Sequence, residues 1–264
     1  MDRSLRLMDH RARCVWLGRR RYEPVHELQR ALQLARREKR IDDTILLVEH
    51  EPVITLGKSA KREHLLLAPD ALAARGIDVC ETGRGGDVTY HGPGQLVGYP
   101  LLDLRPDRCD VRKYVRSLAE TMIVIAREYG VEAGCVEGMI GVWADASAPG
   151  AWAGSAWADE PVKIGAIGVR ISRWVTMHGF ALNLHTDLDA FSLIVPCGIR
   201  EHGVASVVGL GGTPPPVEDV ALGAAPLLAR GLQWGVAEVV DASDAELAEL
   251  ARSLGLSADL RVDA

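Results

Sequence analysis

The sequence predicts an α+β fold, a mixed, largely antiparallel central sheet with flanking helices. Two observations predict it. Short apolar, strand-like runs dominate the middle of the 264 residues, from TILLVE (44–49) to TMHGFALNL (176–184). They are interleaved with helices and hairpin-type connections and do not alternate strictly strand, helix, strand.

The elements follow in order. Residues 24–38 read as a helix, with Pro24 in its first turn and Leu28, Ala31, Leu32 and Ala35 on one face. Strands follow at 44–49 and 53–57, on either side of Pro52. Pro69-Asp70 opens a short helix that Gly76 closes, and IDVCET (77–82) is a strand. Residues 84–95, RGGDVTYHGPGQ, read as a glycine-rich loop, and LVGYPLLDL (96–104) as a strand. Asp110 caps a helix carrying Val111, Tyr114, Val115, Leu118, Met122 and Ile125 on its inner face, ended by Gly130. MIGVWA (139–144) is a strand, and the small, aperiodic residues 145–160 are a loop. Residues 162–171 and 176–184 form an antiparallel hairpin. Residues 187–194 hold one helical turn before Pro196. Helices are expected at 217–231 and 244–253, the second opened by a Ser243-x-x-Glu246 capping box, with a strand at 237–241 between them.

The length suits one domain, and a 48% hydrophobic, 25% charged composition is that of an ordinary globular protein. A net charge of -6 argues against a general nucleic-acid binder. No apolar run approaches the ~18 residues of a membrane helix. The N-terminal MDRSLRLMDHRARCVW has charges but no apolar stretch after them, so a secretory signal is not expected. Five scattered cysteines without a CxxC pair point to a reducing cytoplasm and away from zinc.

Three segments combine glycine with reactive side chains: Arg84 to Gln95, Lys163 to Gly168 with His178 to Asn183, and Pro196-Cys197-Gly198. Gly165 and Gly168 interrupt a good strand, which means either a gap used by a ligand or tight sheet packing. Cys80 and Cys135 are expected as small buried residues, and Cys14 and Cys109 on the surface beside arginines. His10, His26, His50 and His64 are expected on the surface. Cys197 lies where the chain must turn, so its thiol can be presented. To act as a nucleophile it needs a base, and spacing leaves both Lys163 and His91 open. There is no HxH or HxxxH pair, and no metal site is expected.

RGGDVTYHGPGQLVGYP, with HEPVITLGK, GVW, KIGAIGVRI, MHGFALNL and IVPCGI in order, resembles the octanoyltransferases of lipoate synthesis, the lipoate–protein ligase B family. The resemblance covers roughly residues 40–210. It implies a biotin/lipoate ligase-like fold and one catalytic domain over 1–264, with a helical extension from about 212. It implies transfer of octanoyl from acyl carrier protein to a lysine of lipoyl domains, those of 2-oxoacid dehydrogenases and the glycine cleavage H protein. No cofactor, nucleic acid or membrane is expected to be involved, and the expected location is cytoplasmic. The resemblance makes Cys197 the acyl-thioester residue and Lys163 the group that lowers its pKa or relays protons. Substrate contacts are implied for Arg84, Gly85, Gly86, Asp87, Val88, Thr89, Tyr90 and His91, for Ala166, Ile167 and Gly168, and for Gly179, Phe180 and Ala181. His178 is an additional candidate. The loop at 145–160 and the region beyond 212 are longer than the family pattern.

Overall fold

The computed structural model describes residues 10–154, 156, 158–195 and 202–256. Its frame is an eight-stranded sheet. In chain order the strands are β1 (Arg11–Arg20), β2 (Asp43–His50), β6 (Gln95–Leu101), β7 (Gly134–Val136), β8 (Met139–Asp145), β9 (Pro161–Ser172), β10 (Val175–Asn183) and β11 (Gly235–Asp241). Across the sheet the order is β11-β1-β2-β6-β10-β9-β8-β7. β11, β1 and β2 run parallel, and every other pairing is antiparallel. The expected mixed, largely antiparallel sheet is therefore present. A second, three-stranded sheet has the order β4-β3-β5, built from β3 (Val53–Leu56), β4 (Asp78–Glu81) and β5 (Val88–His91).

Both faces of the large sheet are covered. Residues of β2 alternate between them: Ile45 and Leu47 join one core, Leu46 and Val48 the other. The first core takes α3 (Val111–Glu128), α4 (Val217–Leu222) and α5 (Ala225–Leu232), through Leu118, Met122, Val217 and Leu228. The second takes α1 (Tyr22–Arg37) and α6 (Leu247–Ser253), through Leu28, Leu32 and Leu250. A short α2 (Pro69–Ala73) packs beside the small sheet, whose core holds Ile54, Leu72, Val88 and Tyr90.

The expected hairpin is β9–β10. Ser172 pairs with Val175, and Arg173 and Trp174 between them have φ of 50° and 67°, the left-handed pair that a two-residue turn of this hand requires. Several expectations are corrected. The N-terminal run, for which the sequence predicts no element, contains a strand: RARCVWLGRR forms β1, with Cys14 and Trp16 buried on one face and Val15 and Leu17 on the other. Cys14 is thus buried, whereas Cys135, read as buried, is exposed. His50 is fully buried because β2 is covered on both faces, and His26 is nearly so because it lies among the inward-facing residues of α1. The opening of α6 lacks the capping box: the Ser243 amide instead donates to Asp241, and the helix begins at Leu247 without a side-chain cap. Gly223 splits the helix expected over 217–231 into α4 and α5. Four residues of the expected glycine-rich loop, Val88–His91, are the strand β5.

Candidate active site

One cleft of about 980 Å³ lies over the centre of the sheet. β9 runs along it: Lys163 lies towards one end and Val169 towards the other, a span of about 20 Å for six strand residues. The loop before β5 closes the Val169 end. The Gly85 amide donates to the Val169 carbonyl at 2.9 Å. A Cβ on Gly168 would lie 3.0 Å from the Gly85 carbonyl oxygen, and one on Gly165 would meet Met122 Sδ at 2.6 Å. Both strand glycines therefore serve close packing, one under the loop and one under α3.

Arg84 is buried. It donates through Nη2 to the Thr55 carbonyl at 2.6 Å and to Thr55 Oγ1 at 3.0 Å, which ties the loop to β3. Asp87 accepts from the Val88 amide at 2.7 Å and sits 2.6 Å from His64 Nδ1. Of the sequence-predicted residues, Arg84 to Thr89, His91, Lys163, Ala166 to Gly168 and His178 to Ala181 all line the cleft. Tyr90 does not. It points into the small core, its ring edge-on to Phe191 at 5.6 Å. Cys197 lies outside the described residues.

Lys163 is held on both sides of its backbone. Its amide donates to the Gly203 carbonyl, and its carbonyl accepts from the Ala205 amide, each at 2.9 Å. Its Nζ lies over the Trp143 ring, 4.9 Å from its centre. The stem crosses Gly141 of β8, whose φ is 135° and where a Cβ would stand 3.0 Å from Lys163 Cε.

The polar floor contains residues that motif reasoning did not assign. Asn183 Nδ2 donates to the Ala205 carbonyl at 3.1 Å, so its Oδ1 accepts, from Gln95 Nε2 at 2.8 Å. Gln95 Oε1 in turn accepts from His91 Nδ1 at 2.7 Å. This chain fixes the His91 tautomer with its proton on Nδ1. Beside it Tyr22 stacks on His91 with rings 5° from parallel, and His50 Nε2 lies 2.8 Å from the Tyr99 hydroxyl. Burial pushes the imidazoles down, to about 3 for His91, about 4 for His50 and about 3 for His178. His178 has φ of 58°, and neither of its ring nitrogens has a hydrogen-bond partner among the described residues. Gln95 and Asn183 both stood inside quoted motifs, so type and position were visible. Their contact across 88 positions was not. Tyr22 carried no sequence signal. Among the described residues no three His, Cys, Asp or Glu side chains are grouped so as to hold a metal ion.

Residues 21–223 match the lipoyl protein ligase A/B catalytic domain. An octanoyltransferase of Acidobacterium capsulatum is 50% identical over 198 residues, covering 72% of this chain and 77% of that protein. One of Flavobacterium johnsoniae is 44% identical over 218 residues, covering 78% and 87%.

The chain belongs to the octanoyltransferase family.

A third octanoyltransferase, from Myxococcus xanthus, is 49% identical over 191 residues. That match takes in 72% of this chain but 51% of the relative, so the chain spans about half of that protein's length. The fold has a wider kinship. A bi-partite lipoate protein ligase from Thermoplasma acidophilum superposes with a TM-score of 0.65 at 17% identity, over 93% of this chain and 92% of that one. A lipoate-protein ligase A bound with ATP gives 0.63 at 19%, over 93% of both. In this chain, then, the fold shared with those ligases carries the cleft described above.

Proposed function

We propose that this octanoyltransferase moves an octanoyl group from acyl carrier protein to a lysine of lipoyl domains, through a thioester on Cys197. The acceptors are the lipoyl domains of 2-oxoacid dehydrogenases and the glycine cleavage H protein. The observation that carries the reading is the cleft, with an amine at one end and an apolar passage beside it. Val88, Val97, Ile167 and Phe180 line that passage. Burying seven chain carbons at ~0.8 kcal/mol each gives about 6 kcal/mol of binding. At about 980 Å³ the cleft is at the upper end of the roughly 300–1,000 Å³ of small-molecule pockets. It has room for the chain together with the arm that delivers it.

In the first half-reaction Lys163, as the neutral amine, takes the Cys197 proton. The thiolate attacks the octanoyl thioester, and the tetrahedral adduct expels the carrier's thiolate, which takes the proton back from Lys163. In the second, the acceptor's lysine amine attacks the Cys197 thioester. Its proton passes by way of Lys163 to the departing Cys197 sulfur, and an amide is left on the acceptor. The sequence left His91 open as the base. The floor geometry supports Lys163 instead: at a pKa of about 3, and with its Nδ1 proton committed to Gln95, His91 is a weak proton acceptor at neutral pH. Two more facts support placing the thiol at this cleft. His202, five residues after Cys197 in sequence, lines it, and Val204 does as well. Backbone amides of the Ala166–Gly168 stretch are candidates to hold the oxyanion. A reducing cytoplasm is the setting in which such a thiol stays available.

Intact-protein mass spectrometry after mixing with octanoylated carrier, without ATP, tests the reading. The wild type should gain one octanoyl group, Cys197→Ala none, and Lys163→Ala should slow the gain at least a hundredfold. An unmodified wild type, or a gain that persists in Cys197→Ala, would overturn it.

A further inference from the structure

A second cleft, of about 610 Å³, lies on the outer side of α3 against α5. Arg108, Arg112, Lys113, Arg116 and Arg230 line it, against the carboxylates of Asp110 and Glu120. Five cations thus face two anions on a chain whose net charge is -6. Arg112, Lys113, Arg116 and Arg230 are exposed. Among the described residues none of the five cations lies within 4.0 Å of a carboxylate, whereas Arg19, Arg21, Arg30, Arg40 and Arg127 each face one. Arg108 is fixed over the buried Trp234, its guanidinium 4.8 Å from the ring centre. The field is therefore concentrated, partly preorganised and in excess of the two carboxylates that share the cleft.

Its place gives it meaning. The same first two turns of α3 that display Arg112, Lys113 and Arg116 turn Val111 and Val115 into the active cleft. Val111 is 45% exposed, and across the cleft rim Ile140 of β8 is 64% exposed. An apolar lip thus adjoins a cationic stripe on one helix.

We propose that this stripe is where the acyl donor docks: a small acidic carrier protein whose thioester arm then passes Val111 and Ile140 into the cleft. The proposal rests on the donor named above. Opposite charge raises the rate of encounter and fixes orientation. The acceptor's lysine ammonium gains nothing from a cationic stripe.

The test compares the wild type with Arg112→Glu/Arg116→Glu, both exposed positions. Transfer is followed from octanoylated carrier and from octanoyl-N-acetylcysteamine, a neutral thioester without a carrier. The double variant should lose at least tenfold in kcat/KM for the carrier, and the loss should shrink as salt rises. Transfer from the neutral thioester, and KM for the lipoyl domain, should stay at wild-type values, which also shows that the variant is folded. An unchanged kcat/KM for the carrier overturns the proposal. So does a rise in KM for the lipoyl domain alone, which would give the stripe to the acceptor. A wild type that uses the neutral thioester but not the carrier would refute the donor reading itself, and the docking site with it.

Discussion

At the residue scale the site separates into groups that hold and groups that are placed to react. Arg84, Asp87 and Thr55 brace the loop, and Gln95 and Asn183 brace His91. Gln95→Leu should leave His91 Nδ1 and Asn183 Oδ1 buried and unpaired, at a cost of about 1–3 kcal/mol for each group. A lower urea midpoint with an unchanged slope would report this. An unchanged midpoint would mean that the chain of hydrogen bonds contributes nothing. The motif residues were legible one by one because glycine beside Arg, His or Lys is conspicuous. Their division of labour was not, because it depends on the register that sets β10 against β6. That register puts Asn183 opposite Gln95.

At the element scale α3 is central, with its apolar face on the sheet and its charged face towards α5. The two helices meet where a Cβ on Gly231 would fall on the Thr121 backbone. Gly231→Ala should therefore push α5 off α3 and cost about 1–3 kcal/mol through overpacking. A lowered Tm would show it, and a raised one would refute the close crossing. Periodicity exposed α3 in the sequence because its buried residues recur at helical spacing, and it found the β9–β10 hairpin through alternating runs. It missed β1, where arginines at 11, 13, 19 and 20 flank a short apolar centre and mask a strand buried on both faces. The same cause hid His50, since polarity of neighbours is a poor guide where two layers close over an element; His26 was hidden because it falls on the inward face of α1.

At the scale of the whole molecule the buried imidazoles set an acid limit. His50, His91 and His178 have folded pKa values of about 4, 3 and 3, below the ordinary 6.5. Below 6.5 the unfolded chain takes up protons that the native state refuses, so stability is full above that pH and falls on acidification towards pH 4. Each group contributes a slope of up to about 1.4 kcal/mol per pH unit in that window. Urea titrations at pH 7 and pH 5 should show the drop, and His50→Gln should reduce it by about a third, leaving the share of His91 and His178; equal midpoints at the two pH values would exclude it. The architecture was foreseeable from the mixture of strand runs and helices, but the sheet order was not, because β11 joins β1 across more than two hundred positions. That pairing bears on how the protein can be cut. The stretch shared with the family model, 21–223, starts after β1 and stops before β11. A chain trimmed to it would lose two adjoining strands and leave β2, apolar on both faces, as a bare edge. Such an edge recruits strands from other molecules. The trimmed protein would keep the cleft residues and precipitate.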